Sequence, residues 1–374
     1  MATRIFDKSN ITLSAVVAAP AGWPLPVGDK DWSDGYLDLN ATVNYGVKLI
    51  GEARGRGADL VAFPELWFPG YPKSLQAKWL FSRVEEYVAQ SLVVDSKEWQ
   101  SLRNAARDNE IFVSFGFSER GGDFIYMSQA LFGPDGEVLI NRRKVRPSGS
   151  ERGLWSDGDM QGLQVVDTEI GRIGMLQCWE HLRPTMTFNL MAQMPNIHVG
   201  AWPYNQNPGA DVENWEDISV AYSAIRVLSI LTNSVTVTPS IGYGFINQFT
   251  TLLAESNSNN TASPEDDQGY APIIYASVNG SAWSNQTYDL DGEEIGDFVP
   301  SRKYPTDKIV ADLNAGNATE STEPFAIFNN SASATESLNA SSSAVAESPG
   351  MINVPSSAPV QMAALVAAIL FTWR

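Results

Sequence analysis

The sequence predicts an α/β domain, because short apolar segments typical of β-strands alternate with amphipathic segments typical of helices. Hydrophobic residues make up 44% of the 374 positions. That content can bury one large core, and about 300 residues is near the upper size for a single core. Turn-forming residues between successive strands indicate that antiparallel hairpins join parallel neighbours. One domain followed by a polar tail is the predicted organisation.

Five elements are predicted in the first part of the chain. Residues 11–20 form a continuous apolar run, which indicates a buried strand. In the first helix, apolar residues recur at three- and four-residue steps, and Gly55 and Gly57 end it. The predicted segments are strand 11–20, helix 40–56, strand 60–63, helix 95–108 and strand 111–117.

Turn chemistry separates the predicted strands in the middle of the chain. The Gly, Pro and Asp content of segment 132–137 predicts a turn, so residues 138–140 form a strand that leads to Lys144. A second predicted hairpin leads to Cys178. The remaining predicted features are the hairpin strands 164–167 and 172–176, a loop at 21–35, a polar insertion at 256–268 and a strand at 270–281.

Cys178 is the only cysteine in the chain and follows an apolar stretch, which makes it a candidate nucleophile. A thiol with an ordinary pKa of about 8.5 is largely protonated at neutral pH, so it needs a base. Only two histidines are present, and we expect His181 to serve packing or orientation and His198 to lie in or beside a core strand. Glu65, at the end of another apolar strand, is therefore the natural base. Lys144 supplies a cation that can stabilise negative charge formed during attack.

Three segments carry a resemblance to the nitrilase superfamily of carbon–nitrogen hydrolases. They are Phe63-Pro64-Glu65 followed by Pro69-Gly70-Tyr71-Pro72, Arg142-Arg143-Lys144 followed by Glu151-Arg152, and Cys178-Trp179-Glu180-His181. The resemblance is continuous from about residue 11 to about residue 240. It implies a four-layer α-β-β-α sandwich with the reactive residues at strand ends on one rim.

The resemblance also implies the role of each site residue. Cys178 is the nucleophile of a Glu-Lys-Cys triad in which Glu65 is the general base. Lys144 and the backbone N–H of Trp179 stabilise the charge that forms on the substrate, which makes Trp179 a substrate-binding residue. Glu151 resembles a second glutamate that orients Lys144 and the attacking water.

Each residue also has an ordinary structural interpretation. A buried free cysteine usually behaves as a small hydrophobic residue. Glu65 can cap a turn, Lys144 can be a solvated charge among arginines, and Glu151 can form a surface ion pair with Arg152. Agreement of three motifs in residue type and order favours catalysis over three separate coincidences.

The Trp-Glu-His continuation after the cysteine is similar to the nitrilase branch. It implies that an organic nitrile is converted to a carboxylic acid and ammonia through a thioimidate and a thioester. Two alternatives stay open: a hydratase or amidase of the same superfamily, or a noncatalytic relative retained for assembly or binding. The nitrile can be aliphatic, aromatic, arylacetic or hydrogen cyanide. Ser148-Gly149 and Thr185 depart from the family pattern, which affects the expected shape of the pocket.

Charge and cysteine content exclude several other functions. The formal net charge of −18 at pH 7 argues against nucleic acid or an anionic membrane surface as a partner. A single cysteine excludes an intramolecular disulfide, and no Cys/His cluster has metal-ligand spacing, so no metal and no cofactor are expected. The expected partner is a small neutral nitrile, and the resemblance implies a homodimer or a larger homo-oligomer.

The start of the chain lacks a basic region followed by an expendable apolar stretch, so a cytoplasmic location is expected. Two features keep a lipid-anchored or secreted protein as the alternative. One is the recurrence of Asn-X-Ser/Thr sequons, for example at Asn279, Asn285, Asn317, Asn329 and Asn339. The other is the apolar segment 360–373, which is shorter than the roughly 20 residues that span a bilayer.

The hydrolase domain is predicted to cover residues 1–313. Residues 314–374 are predicted to be a low-complexity, disordered tail that ends in the short apolar segment, because most of them are small and polar. The resemblance thins after Pro239, and region 240–310 diverges in the part that the family uses to complete the sheet and the subunit interfaces, which leaves the effect on activity and assembly open.

Overall fold

A computed structural model of the protein describes residues 4–23, 36–72, 77–209, 216–256, 271–281 and 283. These residues belong to the compact unit Met1–Phe298. The helices in the described residues are α1 (Leu39–Gly55), α2 (Ala77–Gln90), α3 (Lys97–Asn109), α4 (Pro184–Met191) and α5 (Ile218–Thr232). The strands are β1 (Ile11–Val16), β2 (Leu60–Ala62), β3 (Phe112–Gly121), β4 (Phe124–Phe132), β5 (Val138–Arg143), β6 (Val165–Thr168), β7 (Gly171–Gln177), β8 (Ile197–Ala201), β9 (Tyr204–Asn205), β10 (Val235–Thr238), β11 (Ile241–Gly242), β12 (Phe245–Gln248), β13 (Thr251–Glu255) and β14 (Ile273–Val278).

Two six-stranded sheets form the centre of the described structure. The first has the order β14-β1-β2-β3-β4-β5, and the second has the order β13-β12-β10-β8-β7-β6. In each sheet the three central strands are parallel, β1-β2-β3 in the first and β7-β8-β10 in the second. Antiparallel strands extend both sheets outward. Parallel strands therefore end together at the centre of each sheet, which is where polar residues from different strands can meet.

The two sheets pack face to face, and helices cover their outer faces. The core between the sheets contains aliphatic side chains from both, such as Leu13 and Ala62 from the first and Met175 and Val199 from the second. Helices α1 and α3 pack on the first sheet through an aromatic cluster that includes Trp99 and Phe115. Side chains of α4 and α5 cover the second sheet. The four-layer α-β-β-α sandwich is confirmed.

Most of the elements predicted from the sequence are present. The predicted helices correspond to α1 and α3, and the two predicted hairpins correspond to β4-β5 and β6-β7. Helix α2 is an element that the sequence analysis missed. The predicted strand at 270–281 is β14, and it pairs with β1 at one edge of the first sheet.

The chain after Pro239 contributes to both sheets, since β12 and β13 extend the second and β14 extends the first. The thinning resemblance therefore does not mark the end of the fold. The predicted features at residues 24–35 and 257–268, the domain boundary at 313 and the tail lie outside the described residues. No helix in the described part of the chain has the length and apolar character needed to cross a bilayer.

Candidate active site

Glu65 lies just beyond the end of β2 and is fully buried. Its backbone N–H donates to the carbonyl of Trp202, 3.2 Å away, just beyond the end of β8 in the other sheet. Strand β3 passes so close that a Cβ added at Gly116 would lie 2.7 Å from the Glu65 Cα. Only a glycine at position 116 leaves room for this approach, so the two sheets together fix the backbone at Glu65.

Lys144 follows β5 and is 1% exposed. Its backbone N–H donates to the Met127 carbonyl at 2.6 Å. Its ammonium group donates to Glu65 Oε1 at 2.7 Å and to Glu151 Oε2 at 2.9 Å. Lys144 therefore bridges two carboxylates inside the protein, and the interpretation of this residue as a solvated charge is wrong.

Glu151 lies in the short 3-10 helix Gly149–Gly153 and is buried. Besides Lys144, it accepts a hydrogen bond from the backbone N–H of Ser148 at 2.6 Å and one from the Tyr71 hydroxyl at 3.2 Å. The neighbouring Arg152 instead donates to the carbonyl of Pro147. The alternative of a surface ion pair between Glu151 and Arg152 is therefore wrong.

Cys178 begins the 3-10 helix Cys178–Leu182, immediately after β7. It is 4% exposed, and its φ of +44° lies in the left-handed region that a non-glycine residue rarely occupies. Such a backbone costs on the order of 1–3 kcal/mol and persists where the surrounding structure holds it. Trp202, Ile225 and Phe245 pack around Cys178, with Trp179 partly buried beside them.

A buried ion pair joins the segment that holds Lys144 to the segment that holds Cys178. Arg142 donates from both terminal nitrogens to Glu180, at 2.6 and 2.9 Å. Glu180 also accepts from the backbone N–H groups of Val145 and Gln177, each at 2.9 Å. All four hydrogen bonds hold residues that neighbour Lys144 or Cys178, so the pair sets the relative position of these two side chains.

The electrostatics of the site follow from burial and from three neighbouring charges. Burial raises the pKa of Glu65 to about 8, with a further rise from Glu151 and an opposing effect from Lys144. Burial alone would lower the pKa of Lys144, but Glu151 and Glu65 outweigh it and raise that pKa. Burial and the Glu65 charge raise the pKa of the Cys178 thiol, while Lys144 and the backbone N–H of Trp179 lower it. The thiol is therefore protonated at rest.

One oxygen of Glu65 is available for proton transfer. Oε1 accepts from Lys144, whereas Oε2 is buried and accepts no hydrogen bond within the described part of the chain. The charge of Glu65 acts on the Cys178 thiol, so the two groups share one site. An acid whose pKa lies near neutrality, beside a protonated thiol, fits a general base.

The structure brings together all five residues that the sequence predicted for the site: Glu65, Lys144, Glu151, Cys178 and Trp179. Three other contributors were missed. Tyr71 belongs to a quoted motif, but its contact with Glu151 requires the fold. Arg142 and Glu180 also lie in quoted motifs, and opposite charge at two motif positions was the available signal for their pairing.

Comparison with known proteins identifies the family. The profile of the Carbon-nitrogen hydrolase family matches residues 16–225. An arylacetonitrilase of Aspergillus kawachii is 44% identical over 170 residues, covering 45% of this chain and 52% of that protein. A cyanide hydratase of Stereum hirsutum is 41% identical over 295 residues, covering 75% of this chain and 77% of that protein. A bromoxynil-specific nitrilase of Klebsiella pneumoniae subsp. ozaenae is 42% identical over 173 residues, covering 45% of this chain and 49% of that protein.

The chain spans about half the length of the arylacetonitrilase that it matches. Among solved structures, an amidase from Nesterenkonia sp. has a TM-score of 0.53 at 17% identity, covering 73% of this chain and 92% of that chain. This likeness shows the fold. The chain belongs to the carbon-nitrogen hydrolase family, and within that family it is a member of the nitrilase branch.

Proposed function

We propose that this protein is a nitrilase that hydrolyses an organic nitrile to a carboxylic acid and ammonia. The observation that carries the proposal is the buried Lys144, which bridges Glu65 and Glu151 and whose charge acts on the only thiol in the chain. The similarity to an arylacetonitrilase and to a bromoxynil-specific nitrilase supports a nitrile substrate.

In the first step, Glu65 Oε2 takes the proton of the Cys178 thiol as sulfur attacks the nitrile carbon. A C–S bond forms, one C–N π bond breaks, and its electron pair moves to nitrogen, which takes the thiol proton from Glu65 to give a thioimidate. Lys144 and the backbone N–H of Trp179 donate to that nitrogen while it carries negative charge. One well-placed donor of this kind contributes about 3 kcal/mol to lowering the barrier.

In the second half, water that has lost a proton to Glu65 adds to the thioimidate carbon. Glu65 passes both protons of that water to the nitrogen, the C–N bond breaks, ammonia leaves, and a thioester remains. A second water cleaves the C–S bond, which releases the carboxylic acid and restores the thiol. Glu151 accepts a hydrogen bond of 2.9 Å from the Lys144 ammonium, which supports a role in orienting Lys144; its role toward the attacking water is part of the proposal.

The cyanide hydratase of Stereum hirsutum favours a second candidate, because it matches three quarters of this chain. If the tetrahedral intermediate expels the thiolate and keeps its nitrogen, an amide is released. The same Glu65, Lys144 and Cys178 serve both outcomes, so the product distinguishes them.

The test is a product assay on the purified full-length protein. An arylacetonitrile, an aromatic nitrile, an aliphatic nitrile and cyanide are each supplied, and ammonia, acid and amide are measured. We expect acid and ammonia in equal amounts, and no turnover by Cys178→Ala. Amide as the main product would support the hydratase instead. Absence of turnover with all four substrates would contradict both activities and would favour a noncatalytic relative retained for assembly or binding.

We also propose an assembly and a location, both from the sequence. A homodimer or larger homo-oligomer follows from the family resemblance, and light scattering behind a sizing column would measure its mass. The cytoplasmic location stays a prediction from the sequence, which fractionation of the native cells would test.

A further inference from the structure

The only two histidines of the chain form a buried pair that connects to the nucleophile. His181 Nδ1 lies 2.7 Å from the Cys178 carbonyl oxygen. His181 Nε2 lies 2.8 Å from His198 Nε2. Neither histidine has a part in the steps proposed above, so the pair needs a separate explanation.

The geometry assigns the protons of both rings. A carbonyl oxygen only accepts hydrogen bonds, so His181 carries its proton on Nδ1 and donates it to Cys178. A neutral His181 then has a bare Nε2, and the 2.8 Å contact requires His198 to donate from its own Nε2. The remaining nitrogen, His198 Nδ1, is buried and has no hydrogen-bond partner in the described residues, as fits a bare acceptor.

The surroundings keep the two rings neutral and fixed. His198 lies on β8 and is fully buried, and His181 stacks on Trp202 with ring centroids 6.0 Å apart. Burial lowers the pKa of His181 to about 4, and burial also lowers the pKa of His198 well below its ordinary value. A Cβ added at Gly200 would lie 3.0 Å from His181 Nε2, so this glycine leaves the room that the ring occupies.

The Cys178 carbonyl that accepts from His181 belongs to the same planar peptide group as the Trp179 N–H. Fixing the direction of the carbonyl therefore fixes the direction of the N–H, which points to the opposite side and donates to the Cys178 sulfur. A hydrogen bond to the carbonyl also polarises the peptide and makes its N–H a stronger donor. The φ of Cys178, +44°, lies in the left-handed region, which is unfavourable for a residue with a Cβ. Contacts with other residues must therefore hold this backbone conformation.

We infer that His198 and His181 are positioning residues: His198 sets the tautomer of His181, and His181 in turn orients and polarises the Cys178–Trp179 peptide. The role in turnover rests on the proposed nitrile hydrolysis, whereas the tautomers and the restraint do not. His198 acts without touching the substrate.

Nitrogen NMR of protein labelled in its histidine rings tests the tautomers directly. With two histidines in the chain, the spectrum contains two rings, and His198→Gln assigns them. We expect one ring protonated on Nδ1, belonging to His181, and one protonated on Nε2, belonging to His198. A wild-type spectrum with His181 protonated on Nε2, or with a cationic ring at neutral pH, would overturn the inference. This measurement needs no nitrile turnover, so it stands if the proposed function fails.

Kinetics of variants at position 198 test the effect on the site. His198→Phe removes the donor, and we expect kcat to fall about fivefold to tenfold with KM unchanged. Alkylation of Cys178 by iodoacetamide should slow as well, and this reaction needs no nitrile. His198→Gln keeps an N–H donor at the same reach and should restore both rates to within about twofold of wild type.

Ile197→Val is the matched control, because Ile197 is buried on the same strand but faces the other sheet. It should leave the tautomers and both rates unchanged. Equal losses in His198→Phe and His198→Gln would show a packing role and overturn the inference, as would wild-type rates in His198→Phe. If His198→Phe does not fold, the wild-type tautomers and the rates of His198→Gln test the inference. Other tautomers than those expected, or His198→Gln rates well below wild type, would overturn it.

Discussion

At Lys144 the protein places one cation between two buried carboxylates. If all three groups were charged, the cluster would carry a net negative charge without solvent to screen it. Burial resolves this by raising the pKa of Glu65 to about 8, so that Glu65 holds a proton in the neutral range and Glu151 pairs with Lys144. Glu65 is also the carboxyl whose charge acts on the Cys178 thiol.

That pKa predicts how activity depends on pH. A general base works in its ionised form, and the ionised fraction of Glu65 grows as pH rises through about 8. We therefore expect kcat/KM to increase with pH below that value and to level off above it. In Glu65→Gln this increase with pH should disappear, and kcat should fall by about 10²–10⁴. An unchanged pH profile in Glu65→Gln would show that another group causes the increase.

Removing the Lys144 charge should harm both stability and catalysis. Lys144→Met leaves Glu65 and Glu151 buried without their cation, which costs about 3–5 kcal/mol of unfolding free energy. The loss of a donor to the reacting nitrogen should lower kcat by at least about a hundredfold. Urea unfolding and ammonia release measure the two effects.

The control for that change is Arg146→Met, since Arg146 is exposed two residues away. It should change the unfolding free energy by less than about 0.5 kcal/mol and leave kcat as in wild type. In the double variant Glu65→Gln/Lys144→Met, the kinetic losses should fall well short of adding, because the two groups act as a unit. Fully additive losses would show that they act independently.

At the scale of elements, hydrophobic periodicity in the sequence predicted most of the strands and helices, although one helix with that periodicity was missed. Helix α1 was predicted because its apolar residues lie three and four positions apart. Helix α2 was missed although Leu80, Val84 and Tyr87 follow the same spacing, so its signal was available. The edge position of β14 could not be predicted, because the sequence of a strand does not indicate which strand it pairs with.

The site was predictable to a different degree. Glu65, Lys144 and Cys178 were found through motifs, since each lies beyond an apolar strand in a recognisable context. Their distances were not predictable: Lys144 and Glu65 are 79 residues apart in sequence and meet at 2.7 Å. Two further contacts also depend on how the strands are placed in the sheets: the buried ion pair between Arg142 and Glu180, and the contact between the two histidines.

The close approach of β3 to Glu65 can be tested by a substitution at Gly116. A Cβ at Gly116 would lie 2.7 Å from both the Glu65 Cα and the Pro64 carbonyl oxygen. These are backbone atoms, so they cannot rotate away. We expect Gly116→Ala to lower the unfolding free energy by about 1–3 kcal/mol and to reduce kcat, because the segment with Glu65 must move.

Gly55→Ala is the matched control for that exchange. Gly55 ends α1, and a Cβ there would meet nothing within 4 Å. Alanine favours the helix, so this variant should raise the unfolding free energy by up to about 1 kcal/mol and keep kcat. Chemical unfolding and ammonia release compare the pair. Equal behaviour of the two variants would show that the approach of β3 does not restrain Glu65.

At the scale of the whole molecule, the two sheets bring together residues from distant parts of the chain. Glu65 and Lys144 come from the first sheet, and Cys178 comes from the second. The catalytic site therefore depends on the packing of one sheet against the other, which the core between them holds in place. Any segment that is not needed for that packing should be removable without loss of chemistry.

The predicted tail, residues 314–374, is such a segment on the basis of its composition. It is rich in Ser, Ala and Asn, and a chain of this kind buries too little apolar surface to offset the entropy of ordering. We expect a protein that ends at residue 313 to fold and to release ammonia from nitriles at the wild-type rate.

Full-length and truncated protein are compared by ammonia release, by urea unfolding and by light scattering behind a sizing column. Deletion of only 360–374 is the control, because it separates an effect of the apolar end from an effect of the polar stretch. Unchanged activity with a smaller assembly would assign the tail to subunit contacts. Loss of both activity and folding would show that residues beyond 313 belong to the domain, and that the predicted boundary is wrong.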